Sequence, residues 1–225
     1  MRHRLPLAGL AVLAVVCSAQ QAAAQFRNMR FPASLQNVFM LNGEAVQKEL
    51  GLNDEQKKTI SQLSDQMRAD ALEIMSGLQD LSPEEQKEHM PELMKMVGEK
   101  GKEMQGKIDQ MLDKKQVNRL KELSLQNRGA QALEDDEVIA ALKITDDQKK
   151  KLADIREEGA KKLEETMQSL RSSGGDQGEI RQKIMGMRKE LGDKALTVLT
   201  SDQRAQFDKM KGPKFDFPPN RGFGF

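Results

Sequence analysis

The stretch LNDEQKKTISQL, residues 52–63, recurs as ITDDQKKKLADI, which begins at Ile144. Looser copies, LDKKQVNRLKEL and LTSDQRAQFDKM, begin at Leu112 and Leu199. Each copy has an apolar residue, then a residue whose side-chain oxygen can cap a helix, then a glutamine three places after the cap. Such a glutamine can return a hydrogen bond to the cap and complete a capping box. The copies therefore predict four helix starts. The predicted caps and their glutamines are Asn53, Gln56, Asp113, Gln116, Thr145, Gln148, Thr200 and Gln203.

The spacing of the copies indicates a duplication. Gln56 and Gln116 are 60 residues apart, and Gln148 and Gln203 are 55 apart. This paired spacing predicts one unit built twice, with a small deletion in the second. In each copy, apolar residues also recur eight and eleven places after the first one, so they share one helix face.

Apolar residues at intervals of three and four continue along both units. In the first unit they run from Ile60 to Leu78 and again from Met90 to Met111, with a Ser-Pro turn between. In the second, they run from Leu152 to Leu170 and from Ile180 to Val198, across a glycine-rich turn. Each unit is therefore predicted to contain two long helices paired as an antiparallel hairpin.

These patterns predict an all-α fold of elongated antiparallel helical hairpins in two tandem units with disordered ends. The predicted first unit is 42–129 and the second is 130–211. A flexible segment, 25–41, precedes them, and a disordered tail rich in Phe, Pro and Gly, 212–225, follows them. The first 24 residues, 1–24, are predicted to be a signal peptide.

The signal peptide is predicted from the order of residue types. Basic residues at Arg2 and Arg4 precede a short apolar run, and small residues end in AAA at 22–24. Cleavage near Ala24/Gln25 would leave a periplasmic or secreted protein without a membrane span. Cys17 raises the alternative of a lipoprotein anchor, but branched Val16 stands where a small residue is expected. Cleavage also removes the one cysteine.

The LTSDQ of the fourth copy, with LNDEQ, ITDDQ and LDKKQ, resembles the LTxxQ motif of the Spy and CpxP family of small periplasmic helical proteins. The whole chain resembles two such units in tandem. Only Thr145 and Thr200 match the threonine of the motif, and Asn53 and Asp113 replace it with other capping residues. The resemblance implies an envelope-stress role: chaperoning without ATP on a concave apolar surface, or modulation of a sensor, with metal binding in ZraP relatives.

Composition excludes several classes of function. Charged residues make up 32% and aromatic residues 4%, and the formal net charge is +1. This near-neutral balance lacks the basic footprint of a nucleic-acid binder. After signal cleavage His89 is the one histidine, and no nucleophile has a base beside it in sequence. We therefore expect no enzymatic activity and no cofactor.

The 14 methionines are the feature that points to binding. Methionine adapts to varied apolar partners, so the expected partners are unfolded or apolar protein segments, with a homodimer as a further option. An apolar client-binding surface is predicted from the methionines on the helices. Its members are Met67, Met75, Met94, Met96, Met104, Met167, Met185 and Met187.

Two alternatives remain open from the sequence. The stretch HMPELMKM places His89 near Met90 and Met94, and thioethers with an imidazole suit Cu(I), so a copper- or zinc-responsive envelope protein is one of them. We favour the interpretation that Met90 and Met94 fill the helix interface. A structural coiled-coil partner is the other alternative.

Overall fold

The structure, a computed structural model, describes residues 33–79, 81–172 and 177–218. These residues form an all-α protein, and they contain no β-strand. The all-α class predicted from the sequence is therefore confirmed. The described residues divide into two compact units, one comprising those up to Asn118 together with Pro218, and the other running from Arg119 to Phe217. The signal peptide predicted for 1–24 lies outside the described residues.

The first unit is built on two long helices and two short ones. Its helices are α1 (Ala33–Leu41), α2 (Glu44–Glu49), α3 (Asp54–Gln79) and α4 (Pro83–Met111), followed by the first residues of α5 (Lys114–Arg128). Helix α1 packs against both α3 and α4, which also contact each other. The buried stripe of α3 includes Ile60, Leu63 and Met67, and that of α4 includes Met104 and Ile108.

Helix α1 corrects the prediction that 25–41 is flexible. Residues 33–41 are helical, and Leu35, Val38 and Leu41 are buried. These three residues repeat every third position and share one face, which α1 presents to α3 and α4. Nine residues are too few to form a stable helix alone, so this helix depends on its partners. Residues 25–32 lie outside the described part of the chain.

The second unit continues from α5 through a 3₁₀ helix (Gly129–Glu134). It then comprises α6 (Asp136–Leu142), α7 (Asp146–Ser172), α8 (Gln177–Leu196) and α9 (Ser201–Met210). Helices α7 and α8 pack against each other, and the 3₁₀ helix contacts both α6 and α8. The core has Phe207, fully buried on α9, among aliphatic residues from α6, α7 and α8.

The C-terminal segment differs from the predicted disordered tail. Residues 212–218 have no regular secondary structure. The backbone N–H of Phe215 nevertheless donates to Oε1 of Gln126 at 2.8 Å, and Nε2 of Gln126 donates to the carbonyl of Pro213 at 2.8 Å. These bonds hold the segment on α5. Residues 219–225 fall outside the described ranges.

Candidate functional site

All four repeated motifs stand at helix starts. The side-chain oxygens of Asn53, Asp113, Thr145 and Thr200 each accept from the backbone N–H of the glutamine three residues later, at distances of 2.8, 2.9, 3.2 and 3.2 Å. Each glutamine Oε1 accepts in return from the cap N–H, at 3.0 to 3.1 Å. The motif thus forms a reciprocal capping box at α3, α5, α7 and α9.

In the first unit the glutamines of two motifs also bind each other. Nε2 of Gln56 donates to Oε1 of Gln116 at 2.8 Å, and Nε2 of Gln116 donates to Oε1 of Gln56 at 3.2 Å. Each Nε2 donates a second bond to a backbone carbonyl, from Gln56 to Met111 at 3.0 Å and from Gln116 to Leu50 at 3.2 Å. We call these two residues and their counterparts in the second unit the glutamine pairs.

The second unit repeats this arrangement. Nε2 of Gln148 donates to Oε1 of Gln203 at 2.7 Å and to the carbonyl of Val198 at 2.9 Å. Nε2 of Gln203 donates to Oε1 of Gln148 and to the carbonyl of Leu142, both at 3.0 Å. The carbonyls of Val198 and Leu142 occupy the same positions relative to the motifs as those of Met111 and Leu50. The same pattern of hydrogen bonds therefore occurs at both glutamine pairs.

The glutamine pairs are chemically closed sites. A side-chain amide has two donors and one oxygen with two lone pairs, and each glutamine of a pair uses all four. Gln148 is also buried. No donor or acceptor of these side chains remains for a ligand, so a glutamine pair holds two helix starts together rather than binding a substrate.

Exposed apolar side chains lie elsewhere on the helices. Among the described residues, the large exposed ones are Leu72 at 69% and Met96 at 43% in the first unit, and Met185 at 62% in the second. Leu72 lies on the side of α3 away from the buried residues Met67 and Leu78. These three exposed apolar side chains are the candidates that the described residues offer for contact with other proteins.

The structure separates the methionines predicted as one surface into three groups. Met67 and Met104 are buried, so they belong to the core, and the prediction that they form part of the client-binding surface is wrong. Met94, Met167 and Met187 are half-buried, and Met96 and Met185 are exposed. The side chain of Met75 is outside the described set. Helical spacing alone did not distinguish these groups. Methionines in the buried apolar stripe and methionines beside it both recur at intervals of three and four residues.

The candidate metal ligands His89, Met90 and Met94 all lie on α4. His89 is exposed, and its Nδ1 lies 3.7 Å from Oε2 of Glu92. Met90 and Met94 are half-buried, as expected of residues beside a helix interface. Across the described ranges, no group of three or more His, Cys, Asp or Glu side chains is arranged to hold a metal ion.

Ion pairs join the long helices within each unit. Nζ of Lys100 on α4 lies 2.9 Å from Oδ2 of Asp70 on α3, and this carboxylate raises the pKa of Lys100. In the second unit Glu158 on α7 pairs with Lys194 on α8 and, at 3.1 Å, with Lys162 on its own helix. The hydrogen bond from Lys194, then that from Lys162, lowers the pKa of Glu158.

Sequence reasoning missed a buried ion pair. The guanidinium of Arg128, at the end of α5, donates to both carboxylate oxygens of Asp135, the cap residue of α6. The Arg128 side chain is only 5% exposed. This bidentate pair closes the turn around the 3₁₀ helix. The two residues lie on either side of the 3₁₀ helix, outside the repeated motif and the apolar stripes on which the sequence predictions rest.

Comparisons with known proteins add no relative. No family model, no curated protein and no solved structure matches the chain. None of the helices in the described ranges is long and apolar enough to cross a membrane.

Proposed function

We propose that this chain is a non-catalytic envelope protein that binds apolar segments of unfolded proteins without nucleotide, as its resemblance to the Spy and CpxP family implies. The observation that carries the proposal is the exposure of Leu72 and Met96 on the two long helices of the first unit. The predicted signal peptide would direct the protein to the periplasm or outside the cell.

Leu72 and Met96 lie at the same level along the two helices. The pairing of Asp70 with Lys100 and of Gln66 with Lys107 gives an antiparallel register for α3 and α4. Leu72 is two residues beyond Asp70, and Met96 is four residues before Lys100, so both are displaced toward the same turn. At 1.5 Å per residue these displacements are about 3 and 6 Å. Leu72 lies about 200° around α3 from Asp70, whereas Met96 lies about 40° around α4 from Lys100, so the two side chains are separate contact points at this level.

The chemistry of this surface suits weak and unselective binding. Burying one large aliphatic side chain contributes about 1.5–3 kcal/mol, so each contact holds a client only loosely. Methionine adjusts its rotamers to partners of different shape. The exposed residues around Leu72 include Arg68 and Glu73, and those around Met96 include Lys95 and Glu99, which remain in water. A client can therefore dissociate and refold without an energy source.

The test is suppression of the aggregation of an unrelated unfolded protein, followed by light scattering. We expect the wild-type chain to suppress aggregation without nucleotide or metal, and Leu72→Gln/Met96→Gln to lose at least half of that effect. The matched control is Ala69→Gln/Ser76→Gln, which changes exposed residues on α3 without removing a large apolar group. It should behave like the wild type.

The same assay distinguishes the alternatives. Suppression only after addition of copper or zinc would favour a metal-responsive protein that uses His89 and its methionine neighbours. A wild-type chain that never suppresses aggregation, and that forms a stable homodimer in sedimentation, would favour the coiled-coil alternative. Either result would contradict the proposed function.

A further inference from the structure

The C-terminal segment 211–217, which we call the strap, lies on one face of α5 within the second unit. Three side chains of α5 face it: Arg119, Glu122 and Gln126, spaced by three and four residues so that they share a face. The strap follows α9 directly, and the hydrophobic core of this unit reaches Phe207 and Met210 but not the strap. It is thus an added layer rather than part of the core.

Gln126 and Arg119 recognise the backbone of the strap. Nε2 of Gln126 donates to the carbonyls of Lys211 at 2.6 Å and Pro213 at 2.8 Å, while its Oε1 accepts from the N–H of Phe215 at 2.8 Å. Nη1 of Arg119 donates to the carbonyl of Pro213 at 3.0 Å. Paired contacts to backbone N–H and C=O groups are how proteins hold extended peptides.

Gly212 supplies one element of selectivity. Its φ is +63°, a conformation that residues with a side chain rarely adopt. A β-carbon at this position would stand 2.2 Å from Oε2 of Glu122. That carboxylate is held by Arg119, whose Nη1 lies 2.6 Å from the same oxygen. The site therefore admits glycine, followed by a residue whose backbone carbonyl it binds.

The two phenylalanines supply the other element. Phe215 and Phe217 are half-buried and contact each other edge to face, with ring centroids 4.9 Å apart. The side chains of Lys214 and Asp216 between them are 84% and 86% exposed and pair with each other at 2.7 Å. This alternation of inward and outward side chains is that of an extended chain lying on a surface.

From these contacts we infer that the α5 face of Arg119, Glu122 and Gln126 is a binding site for extended peptides of the pattern Gly-x-x-Phe-x-Phe, which the chain's own strap occupies in cis. The partner is another protein that carries such a segment. A terminal strap held by a few hydrogen bonds opens locally at a small free-energy cost, so a partner can replace it. A tethered strap competes at an effective concentration in the millimolar range, which keeps the site closed to weak ligands. The inference concerns the second unit and does not depend on the proposed function.

The first experiment frees the site in the full-length chain. Gly212→Val keeps the strap from seating, because the new side chain meets Glu122, while the α5 face is unchanged. Binding of a fluorescein-labelled peptide KGPKFDF is measured by polarisation, with circular dichroism to verify folding. We expect Gly212→Val to bind at least ten-fold more tightly than the wild type, and Gly212→Val/Gln126→Ala to lose this gain. A folded Gly212→Val chain that does not bind the peptide, or that binds equally well without Gln126, overturns the inference.

A second readout does not depend on Gly212→Val being folded. The chain has no Trp and no Tyr, so Phe217→Trp places a single fluorescent reporter on the strap. Excess unlabelled KGPKFDF should shift the Trp emission to the red as the strap is displaced into water, and KGPKADA should not. An emission spectrum that KGPKFDF leaves unchanged at saturating concentration overturns the inference.

Discussion

At the scale of single residues, the glutamine pairs require the amide donors of glutamine, which capping alone does not require. A glutamate in place of Gln148 would still accept from the cap N–H, and capping boxes use Glu and Gln alike. Its second oxygen would, however, face the carbonyl of Val198 and Oε1 of Gln203, where Nε2 now donates. We expect Gln148→Glu to lower the free energy of unfolding by about 2–4 kcal/mol, because a buried charge replaces two hydrogen-bond donors. Urea unfolding followed by circular dichroism measures this.

The control is the capping box of α4. Ser82 and Glu85 form it, and the structure describes no glutamine pair there. Glu85→Gln should therefore change stability by less than about 0.5 kcal/mol. Equal losses in Glu85→Gln and Gln148→Glu would mean that the glutamines only cap.

The pH dependences at these two positions should be opposite in sign. Hydrogen bonds from Ser82 lower the pKa of Glu85, so its stabilisation is present above the unfolded-state pKa and lost as pH falls through the folded-state value. The carboxyl group that Gln148→Glu introduces is buried beside two acceptor oxygens, so its pKa should be raised. The stability of the Gln148→Glu variant should therefore recover as pH falls, which urea unfolding at several pH values would measure.

Lys143 offers a residue-scale prediction from the repeat itself. It has φ of 52° at the end of α6, and the equivalent residue after α2 is Gly51, with φ of 61°. A side chain in this left-handed region costs about 1–2 kcal/mol. Lys143→Gly should raise the free energy of unfolding by about 1 kcal/mol, and Gly51→Lys should lower it. Thermal unfolding of both variants tests these two predictions, and a lower stability of Lys143→Gly than of the wild type would contradict the first.

The residues of the site divide by how local their interactions are. The capping boxes could be predicted from sequence because cap and glutamine are three residues apart. The glutamine pairs could not, because Gln56 and Gln116 meet only after two helices have folded back. The role of Gln126 could not be predicted for the same reason, because its Oε1 accepts a hydrogen bond from the N–H of Phe215, which is 89 residues away in sequence.

At the scale of elements, the long helices were predictable from their apolar stripes and caps. Helix α1 was missed because its nine residues bury three apolar side chains only against partners far along the chain. The strap was missed because its contacts are to backbone atoms, which a sequence pattern does not specify. Periodicity thus predicts helices long enough to show a repeated apolar stripe. It does not predict short segments that are held in place only by contacts with other parts of the chain.

Glycines within the long helices provide an element-scale prediction. A β-carbon at Gly186 on α8 meets nothing within 4 Å, whereas one at Gly159 on α7 would stand 2.5 Å from Cδ1 of Leu191 on α8. Gly186→Ala should stabilise the protein by about 0.5–1 kcal/mol through helix propensity alone. Gly159→Ala gains the same propensity but crowds the helix interface, so its stability should fall at least about 1 kcal/mol below that of Gly186→Ala. Equal gains measured in urea would mean that α7 and α8 are farther apart.

The pairing of α7 with α8 should weaken in acid. Lys194 and Lys162 lower the pKa of Glu158 from its ordinary value of 4.5, so the stabilisation is present above that value and is lost as pH falls through the lower folded-state pKa. Glu158→Gln should reduce the decrease in melting temperature between about pH 7 and pH 3. The control is Glu157→Gln, because Glu157 pairs with Lys161 on the same helix. If both variants follow the wild-type curve, the interhelical pair contributes nothing measurable in water.

At the scale of the whole molecule, each unit has its own glutamine pair, and the two pairs share no residue. Gln148→Ala and Gln203→Ala remove the same mutual hydrogen bonds, so their effects on the free energy of unfolding should not add. The double variant should lose at least about 0.5 kcal/mol less of this free energy than the sum of the two single variants. Gln56→Ala and Gln148→Ala act in different units, and their losses should add within about 0.5 kcal/mol. Unfolding in urea measures both cycles. Additivity within one unit would show that its glutamines act as separate caps, whereas coupling between the units would show that the duplicated halves fold as one.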